Sequence, residues 1–204
     1  MQNNTTKEKI MHAASALFFQ KGFSGTSVRD IADKASVNVS AISYHFKGKQ
    51  GLLEYAITHY YEAYFVEIEK TLRKNEALSA LDKLKELIFA IIQYKYQNHQ
   101  FSYFIHRELS FDSIFVREIV VTYLAKENHL LSETFLEAMQ GKYHVNKRHF
   151  LFMQLKGMLM TPFMFHSETQ NQMIGSYSTE NFVRHYTEVI NEWLDFSVRE
   201  LTVK

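Results

Sequence analysis

Residues 14–52 read ASALFFQKGFSGTSVRDIADKASVNVSAISYHFKGKQGL, and their pattern sets the fold of the N-terminal part of the chain. Apolar residues around its start recur three and four positions apart, as on one face of an α-helix; they are Ile10, Ala13, Ala14, Leu17 and Phe18. Gly22 ends this first helix. Ser27 and Asp30 have capping-box spacing and predict a second helix, and Asn38 predicts the start of a third. The sequence therefore predicts three short helices within the first fifty residues.

Three such helices, the second and third joined by a tight turn, are typical of a helix-turn-helix DNA-binding domain. Three landmarks occur in order: A-x-x-L-F-x-x-x-G-F from residue 14, TSVRDIA from residue 26 and Y-H-F-K-x-K from residue 44. On these residues the chain resembles the TetR family of bacterial DNA-binding regulators. It departs from many members at Ser36, where they carry Gly, and at Ser43, where they carry Tyr.

The third helix and its flanks supply the predicted DNA contacts. Small or polar side chains can reach base edges in the major groove, and Val39 and Ala41 can meet thymine methyl groups. A helix N-terminus at residues 26–27 favours a phosphate, and the resemblance implies phosphate contacts by Thr26, Tyr44 and Lys49. The full predicted set is Thr26, Ser27, Asn38, Val39, Ser40, Ser43, Tyr44, His45, Lys47 and Lys49.

Helical periodicity continues beyond this region. We predict a long helix from Lys49 to about Leu72, then helices at 78–98, 101–109, 113–139, 147–166 and 179–202. Seven Gly and one Pro are few for 204 residues, and strand-type alternation is missing, so the chain is predicted to be all-α. We expect a DNA-binding domain over residues 1–50 and a helical regulatory and dimerisation domain over residues 51–204, in the TetR-like arrangement.

Charge and composition limit the cellular environments and the binding partners that the chain can have. Residues 1–50 hold seven Lys and Arg against three Asp and Glu, whereas the remaining residues are mildly acidic. The basic N-terminal part is therefore expected to bind double-stranded DNA. The chain has no Cys, which excludes disulfides and thiolate ligands. It has no run of ~20 apolar residues and its N-terminus is polar. We therefore expect a cytoplasmic, nucleoid-associated protein without a membrane partner.

The C-terminal part is predicted to form a homodimer. Residues 150–165 are apolar nearly all round, which requires burial on more than one side. TetR-like proteins pair their last two helices into a four-helix bundle, and two-fold symmetry matches two DNA half-sites. The predicted interface residues are Phe150, Met158, Phe182, Tyr186, Ile190, Trp193 and Leu194.

Family members commonly hold a small-molecule pocket in this part of the chain. Candidate lining residues are Phe89, Tyr94, Phe104, His106, Met153, Met160 and Phe163, although core packing is the favoured explanation for each of them taken singly. Residues 107–127 and 151–165 also resemble the forespore-capture DNA-binding regulators of endospore formers, which act at chromosomal sites and on cell division. In that case the domain over residues 51–204 would recruit a protein partner instead of binding a small molecule.

Enzyme and metal functions lack a signal in the sequence. There is no Gly-rich phosphate loop, G-x-S-x-G or H-E-x-x-H. His144 and His149 are poorly spaced for two metal ligands on one helix face. Glu108 and Glu118 are expected to pair with Arg107 and Arg117 as structural ion pairs. We expect no cofactor, metal or catalytic residue. The leading hypothesis is a dimeric transcriptional repressor that binds palindromic DNA, and the alternative is a chromosome-site-binding protein that recruits cell-division machinery.

Overall fold

The computed structural model describes residues 5–110, 114–139, 144–164 and 178–199, and every regular element in these ranges is a helix. The helices are α1 Thr6–Lys21, α2 Val28–Ala35, α3 Val39–Phe46, α4 Lys49–Lys74, α5 Ala80–Gln97, α6 His99–Ser110, α7 Ile114–Met139, α8 Val145–Met160 and α9 Thr179–Arg199, with a 3₁₀ turn at Thr161–Phe163. The predicted all-α fold is confirmed.

Local signals in the sequence fix most helix ends. Thr5 and Glu8 form a capping box at the start of α1, and Ser27 and Asp30 form the predicted one at the start of α2. Asn38 caps α3, as predicted, because its side-chain oxygen accepts the Ser40 N–H. The predicted break at residues 98–99 is also confirmed, since α5 ends at Gln97 and α6 begins at His99.

The predicted helix over 147–166 is shorter than expected. It ends at Met160 and passes into the 3₁₀ turn, in which Pro162 stands at the start. Proline has no N–H to donate to the carbonyl four residues earlier, so it cannot continue an α-helix. Residues 165–166, and residues 200–202 of the last predicted helix, lie outside the described residues.

The chain divides into two compact units, each built from two sequence segments. The first comprises residues 1–63 and 100–121, and the second comprises residues 64–99 and 122–204. This division differs from the predicted boundary at residue 50, because α6 joins the N-terminal helices. The sequence gives no sign of this, since α6 lies more than forty residues beyond α3.

The first unit packs α1, α2 and α3 around one apolar core. Fully buried side chains come from each of these helices and from the first half of α4 and from α6: Ile10, Phe18, Ile31, Ile42, Leu52, Leu53, Ile57 and Phe104. Phe18 and Phe104 stack with their ring centroids 5.5 Å apart. Core packing in this unit therefore depends on α6 as well as on the three N-terminal helices.

The second unit is built around α5, which packs against α8 and α9. Its buried apolar side chains include Tyr64, Ile68, Leu84, Ile88, Ile92, Phe135, Leu155, Leu159, Ile190 and Leu194. An ion pair between Lys95 and Glu127, with Nζ and Oε1 2.7 Å apart, lies largely buried within this unit. None of the helices in the described ranges has the length and apolarity needed to cross a membrane.

Candidate nucleic-acid interface

The turn between α2 and α3 fixes how the third helix is presented. Ser36 adopts a left-handed conformation with φ 55°, and the Val37 N–H donates to the Ala32 carbonyl at 3.0 Å. This is the hydrogen-bond pattern with which a left-handed residue, usually Gly, closes a helix. The departure noted at Ser36 therefore leaves the turn intact and places a serine in a conformation that glycine adopts more easily.

One face of α3 is buried and the opposite face is open to solvent. Ile42 and Phe46 enter the core of the first unit, with 0% and 4% of their surface exposed. The residues predicted to contact DNA from this helix and its end are all exposed; they are Asn38, Val39, Ser40, Ser43, Tyr44, His45 and Lys47. Tyr44 is 84% exposed. Ser40, Ser43, Tyr44 and Lys47 share one exposed face of α3, and Asn38, Val39 and His45 are exposed beside it.

Asn38 has a local role as well as a predicted DNA contact. Its Oδ1 accepts from the Ser40 N–H at 2.9 Å and from the Ser40 hydroxyl at 3.0 Å. The carboxamide N–H₂ group stays at the exposed start of α3, where it can act as a donor. The helix cap therefore orients the side chain without using its donors.

At the start of α2 the predicted phosphate contacts are engaged in local hydrogen bonds. The Thr26 hydroxyl lies 2.8 Å from the Gly22 carbonyl and 3.2 Å from the Leu17 carbonyl, and the residue is 1% exposed. A phosphate contact by this hydroxyl would require those bonds to be given up. Ser27 is exposed, and its Oγ accepts the Asp30 N–H at 3.1 Å. Both contacts stay predictions.

The Asp30 carboxylate shares this helix N-terminus. The Ser27 backbone N–H that donates to it lowers the pKa of Asp30, the Ser27 hydroxyl and the nearby Lys21 ammonium add to the effect, and slight burial opposes it. Lys21 Nζ lies 3.6 Å from Asp30 Oδ2. The negative charge at the start of α2 is therefore offset by a neighbouring cation on α1.

Lys49, the first residue of α4, reaches back to the connection between α1 and α2. Its ammonium donates to the Phe23 carbonyl at 2.9 Å and to the Thr26 carbonyl at 2.8 Å. The same Nζ lies 4.4 Å from the centroid of the Phe23 ring. The phosphate contact that the resemblance implies stays a prediction. The contact with the two carbonyls gives Lys49 a local structural role that its sequence context did not indicate.

Two residues of α6 have a structural role beyond the ion pairing that the sequence predicts for them. Arg107 and Glu108 belong to the acids and arginines expected to pair, and their closest charged atoms lie 3.8 Å apart. Their shorter contacts go to the main chain of the first unit: Arg107 donates to the Phe18 and Phe19 carbonyls, and Glu108 accepts the Phe23 N–H. Arg29 on α2 is a further exposed basic residue of this unit that the prediction did not include.

The predicted pocket residues do not gather in one unit. Phe104 and His106 belong to the first unit, and the other five belong to the second. In the second unit Phe163 is buried, whereas Phe89, Met153 and Met160 are 38%, 68% and 36% exposed. Burial raises the pKa of Tyr94 to about 12. Met153 is largely open to solvent in the single chain, and the pocket with its lining residues stays a prediction.

The predicted dimer residues divide into two groups. Phe182, Ile190 and Leu194 are 5%, 1% and 0% exposed within the single chain, because this side of α9 packs against α5. The other four are Phe150, which is 64% exposed, and Met158, Tyr186 and Trp193, which are partly buried. The apolar stripe read from the sequence is therefore largely core, and its assignment to the interface is corrected for the three buried residues.

In the described ranges no three His, Asp or Glu side chains group in a way that could hold a metal ion. The exposed side chains of α3 and its flanks form the functional geometry that the structure offers.

Comparison with known proteins identifies the family. The family model described as "Bacterial regulatory proteins, tetR family" matches residues 10–56, which include all of α2 and α3. A Bacillus subtilis protein named "Probable HTH-type transcriptional regulator YttP" is 37% identical over 192 residues, covering 93% of this chain and 92% of that protein. The chain belongs to the TetR family. It is a transcriptional regulator of the TetR type.

Other TetR-type relatives are more distant. The HTH-type transcriptional repressor KstR2 of Mycolicibacterium smegmatis is 29% identical over 89 residues, 44% of this chain and 42% of that protein. The structure of KstR2 from Mycobacterium tuberculosis superimposes with a TM-score of 0.74 at 14% identity, covering 94% of this chain and 95% of that one. At that identity the likeness shows that the two chains share the TetR fold.

Proposed function

We propose that this TetR-family protein is a transcriptional repressor that binds palindromic DNA as a homodimer. The observation that carries the proposal is the exposed face of α3, on which Ser40, Ser43, Tyr44 and Lys47 lie together away from the buried Ile42 and Phe46, with Val39 exposed at the start of the helix. A helix with one anchored face and one small, polar, exposed face fits the major groove. Repression is supported by the name of the KstR2 relative.

A second surface supports the homodimer. On α8, Phe150, Met153, Gly157 and Met160 are spaced three and four residues apart and all are exposed. On α9, Val189 and Phe196 are 60% and 62% exposed. Exposed apolar side chains that repeat at this spacing form the seam along which two helices pack. We assign the dimer contact to this surface, with a second copy of the chain as its occupant.

Gly157 gives the dimer a sharp test. A Cβ added at this glycine meets no atom within 4 Å, so the single chain has room for a side chain there. Leucine is favoured over glycine inside a helix by up to about 1 kcal/mol. We expect Gly157→Leu to leave the chain folded and to weaken dimerisation at least about tenfold in sedimentation equilibrium, because the leucine keeps the helices of two copies apart. Gln93→Leu, at an exposed position of α5, is the control.

DNA reading is tested by mapping the genomic sites bound by the protein and measuring its affinity for them. Ser40→Ala and Ser43→Ala should change the preference between bound sites, at about 1–3 kcal/mol for each lost base contact. Gln93→Ala should change nothing. Uniform loss of affinity across all sites would show that these serines contact only the DNA backbone, and a wild-type chain that binds no genomic site would overturn the proposal.

The same map separates repression from the alternative function. Residues 107–127 and 151–165 carry the resemblance to forespore-capture regulators, and in that role the part of the chain after residue 50 would recruit a protein of the cell-division machinery. Sites in promoters whose genes are expressed more strongly after deletion of the regulator support repression. Sites placed without regard to promoters, and unchanged expression of the adjacent genes, support the alternative.

A further inference from the structure

We propose that Arg107 and Glu108 of α6 are positioning residues for DNA binding, which hold the connection between α1 and α2 in the geometry that α2 and α3 need. This rests on the proposed function, in which α3 reads DNA. The connection, residues 22–27 and called the corner below, begins at Gly22, whose φ is 74°. It ends at Ser27, the cap of α2. A displacement of the corner therefore moves the start of α2.

Arg107 holds the α1 side of the corner. Its Nη2 donates to the Phe18 carbonyl at 2.6 Å and its Nη1 donates to the Phe19 carbonyl at 2.8 Å. The Phe18 carbonyl also accepts the Gly22 N–H at 2.9 Å, so Arg107 is its second donor. Carbonyls in the last turn of a helix carry partial negative charge that a cation stabilises. The planar guanidinium supplies two donors to two adjacent carbonyls, a geometry that lysine does not reproduce.

Glu108 holds the corner itself. Its Oε1 accepts the Phe23 N–H at 3.3 Å, and its side chain is 12% exposed. The Phe23 carbonyl accepts from Lys49 at 2.9 Å. Both main-chain groups of Phe23 are thus bound by charged side chains, one from α6 and one from α4. Such hydrogen bonds are stronger than those between neutral groups.

Gly22 fits this arrangement for a second reason besides its φ. A Cβ built on Gly22 would lie 3.1 Å from Glu108 Oε1, a tight contact for a carboxylate oxygen. The bare glycine lets the carboxylate approach the corner closely enough to receive the Phe23 N–H. The family model ends at residue 56, so the two side chains that bind this corner from α6 lie outside the segment it recognises.

The test distinguishes the effect of the hydrogen-bond acceptor at residue 108 from the effect of its negative charge. Glu108→Leu removes the acceptor, whereas Glu108→Gln keeps an oxygen for the Phe23 N–H. Glu118→Leu is the control, because Glu118 is an exposed acid of the same unit. Each variant is measured, below its own melting temperature, for affinity to a mapped genomic site over a range of salt and for amide hydrogen exchange of residues 22–27.

We expect Glu108→Leu to weaken binding to the genomic site by about tenfold, the effect of one lost hydrogen bond to a charged group. Glu108→Gln should restore most of this affinity, and Glu118→Leu should bind like the wild type. The slope of log affinity against log salt should not change, because Glu108 releases no phosphate counterion. The Phe23 amide should exchange faster in Glu108→Leu alone.

A folded Glu108→Leu variant with wild-type affinity, or with loss that glutamine does not rescue, overturns the proposal. If Glu108→Leu does not fold, Arg107→Lys is tested instead, because lysine keeps the positive charge but not the paired donors. Wild-type affinity of Arg107→Lys for the genomic site would then overturn the proposal. A wild-type chain that binds no DNA overturns the proposed function instead. In that case the exchange rate of the Phe23 amide still decides whether Glu108 holds the corner.

Discussion

Lys49 shows how one residue can serve both the fold and the DNA. The resemblance assigns its ammonium to phosphate, and the structure gives that ammonium the Phe23 and Thr26 carbonyls. We predict that Lys49→Ala weakens binding to all DNA sequences about equally and lowers the salt slope by about 1, because one counterion-releasing contact is lost. Titrations at several salt concentrations measure this. An unchanged slope would show that Lys49 acts through the corner alone.

Ser36 is a residue whose conformation suits glycine better than serine. Its φ of 55° lies in the left-handed region, where a side chain costs about 1 kcal/mol, while glycine adopts it freely. We predict that Ser36→Gly raises the free energy of unfolding by roughly 0.5 kcal/mol, after the greater freedom of glycine in the unfolded chain offsets part of the gain. Denaturant unfolding measures it. Ser24→Gly, at an exposed loop position, should lower stability instead.

At the scale of the element, the end of α8 depends on a side chain from α9. Pro162 cannot donate to the Met158 carbonyl four residues earlier, and the Tyr186 hydroxyl donates to that carbonyl at 2.7 Å. We predict that Tyr186→Phe destabilises the protein by about 1–2 kcal/mol, because the carbonyl loses its partner while the ring is kept. Tyr55→Phe is the control in thermal unfolding, and equal effects of the two variants would contradict the prediction.

Tyr94 on α5 links the stability of the second unit to alkaline pH. Burial raises the pKa of Tyr94 from 10.0 to about 12, so the folded chain keeps the phenol proton where the unfolded chain releases it. The contribution of Tyr94 to the free energy of unfolding is fully present below pH 10 and is lost as the pH rises towards 12. At pH 11 we predict a loss of roughly 1 kcal/mol relative to pH 9.

Tyr94→Phe provides the comparison for this pH effect. The phenylalanine has no proton to release, so the unfolding free energy of the variant should fall less steeply between pH 9 and pH 11. Burial also raises the pKa values of Tyr96 and Tyr186, and these two tyrosines should keep part of the slope. Parallel pH profiles for wild type and Tyr94→Phe would show that Tyr94 does not contribute to the pH dependence of stability.

At the scale of the whole molecule, the proposed dimer links the second unit to DNA affinity. Trp193 is partly buried, on the same helix as the exposed Val189 and Phe196. We predict that Trp193→Asp yields monomers or aggregates and binds the mapped sites much more weakly, because a monomer engages one half-site. Glu180→Asp, at an exposed acidic position of α9, is the control. Wild-type protein that sediments as a monomer at micromolar concentration would contradict the dimer.

Features that depend on near neighbours along the chain follow from the sequence alone. Helix spacing, the capping boxes and the Asn38 cap act within a few residues, so the helices and the exposed and buried faces of α3 could be predicted. The TetR motif is local for the same reason. Pro162 was visible too, and its effect on the end of α8 was missed although the physical rule is local.

Tertiary structure decided which apolar faces are covered and which distant side chains meet. The stripe on α9 has the same periodicity whether it covers the chain's own core or a second copy, and only packing against α5 assigns Phe182, Ile190 and Leu194 to the core. Glu108 reaches Phe23 across 85 positions, a contact that no periodicity encodes. Periodicity gives the direction of a side chain about its own helix, and the partner it meets depends on how the helices pack.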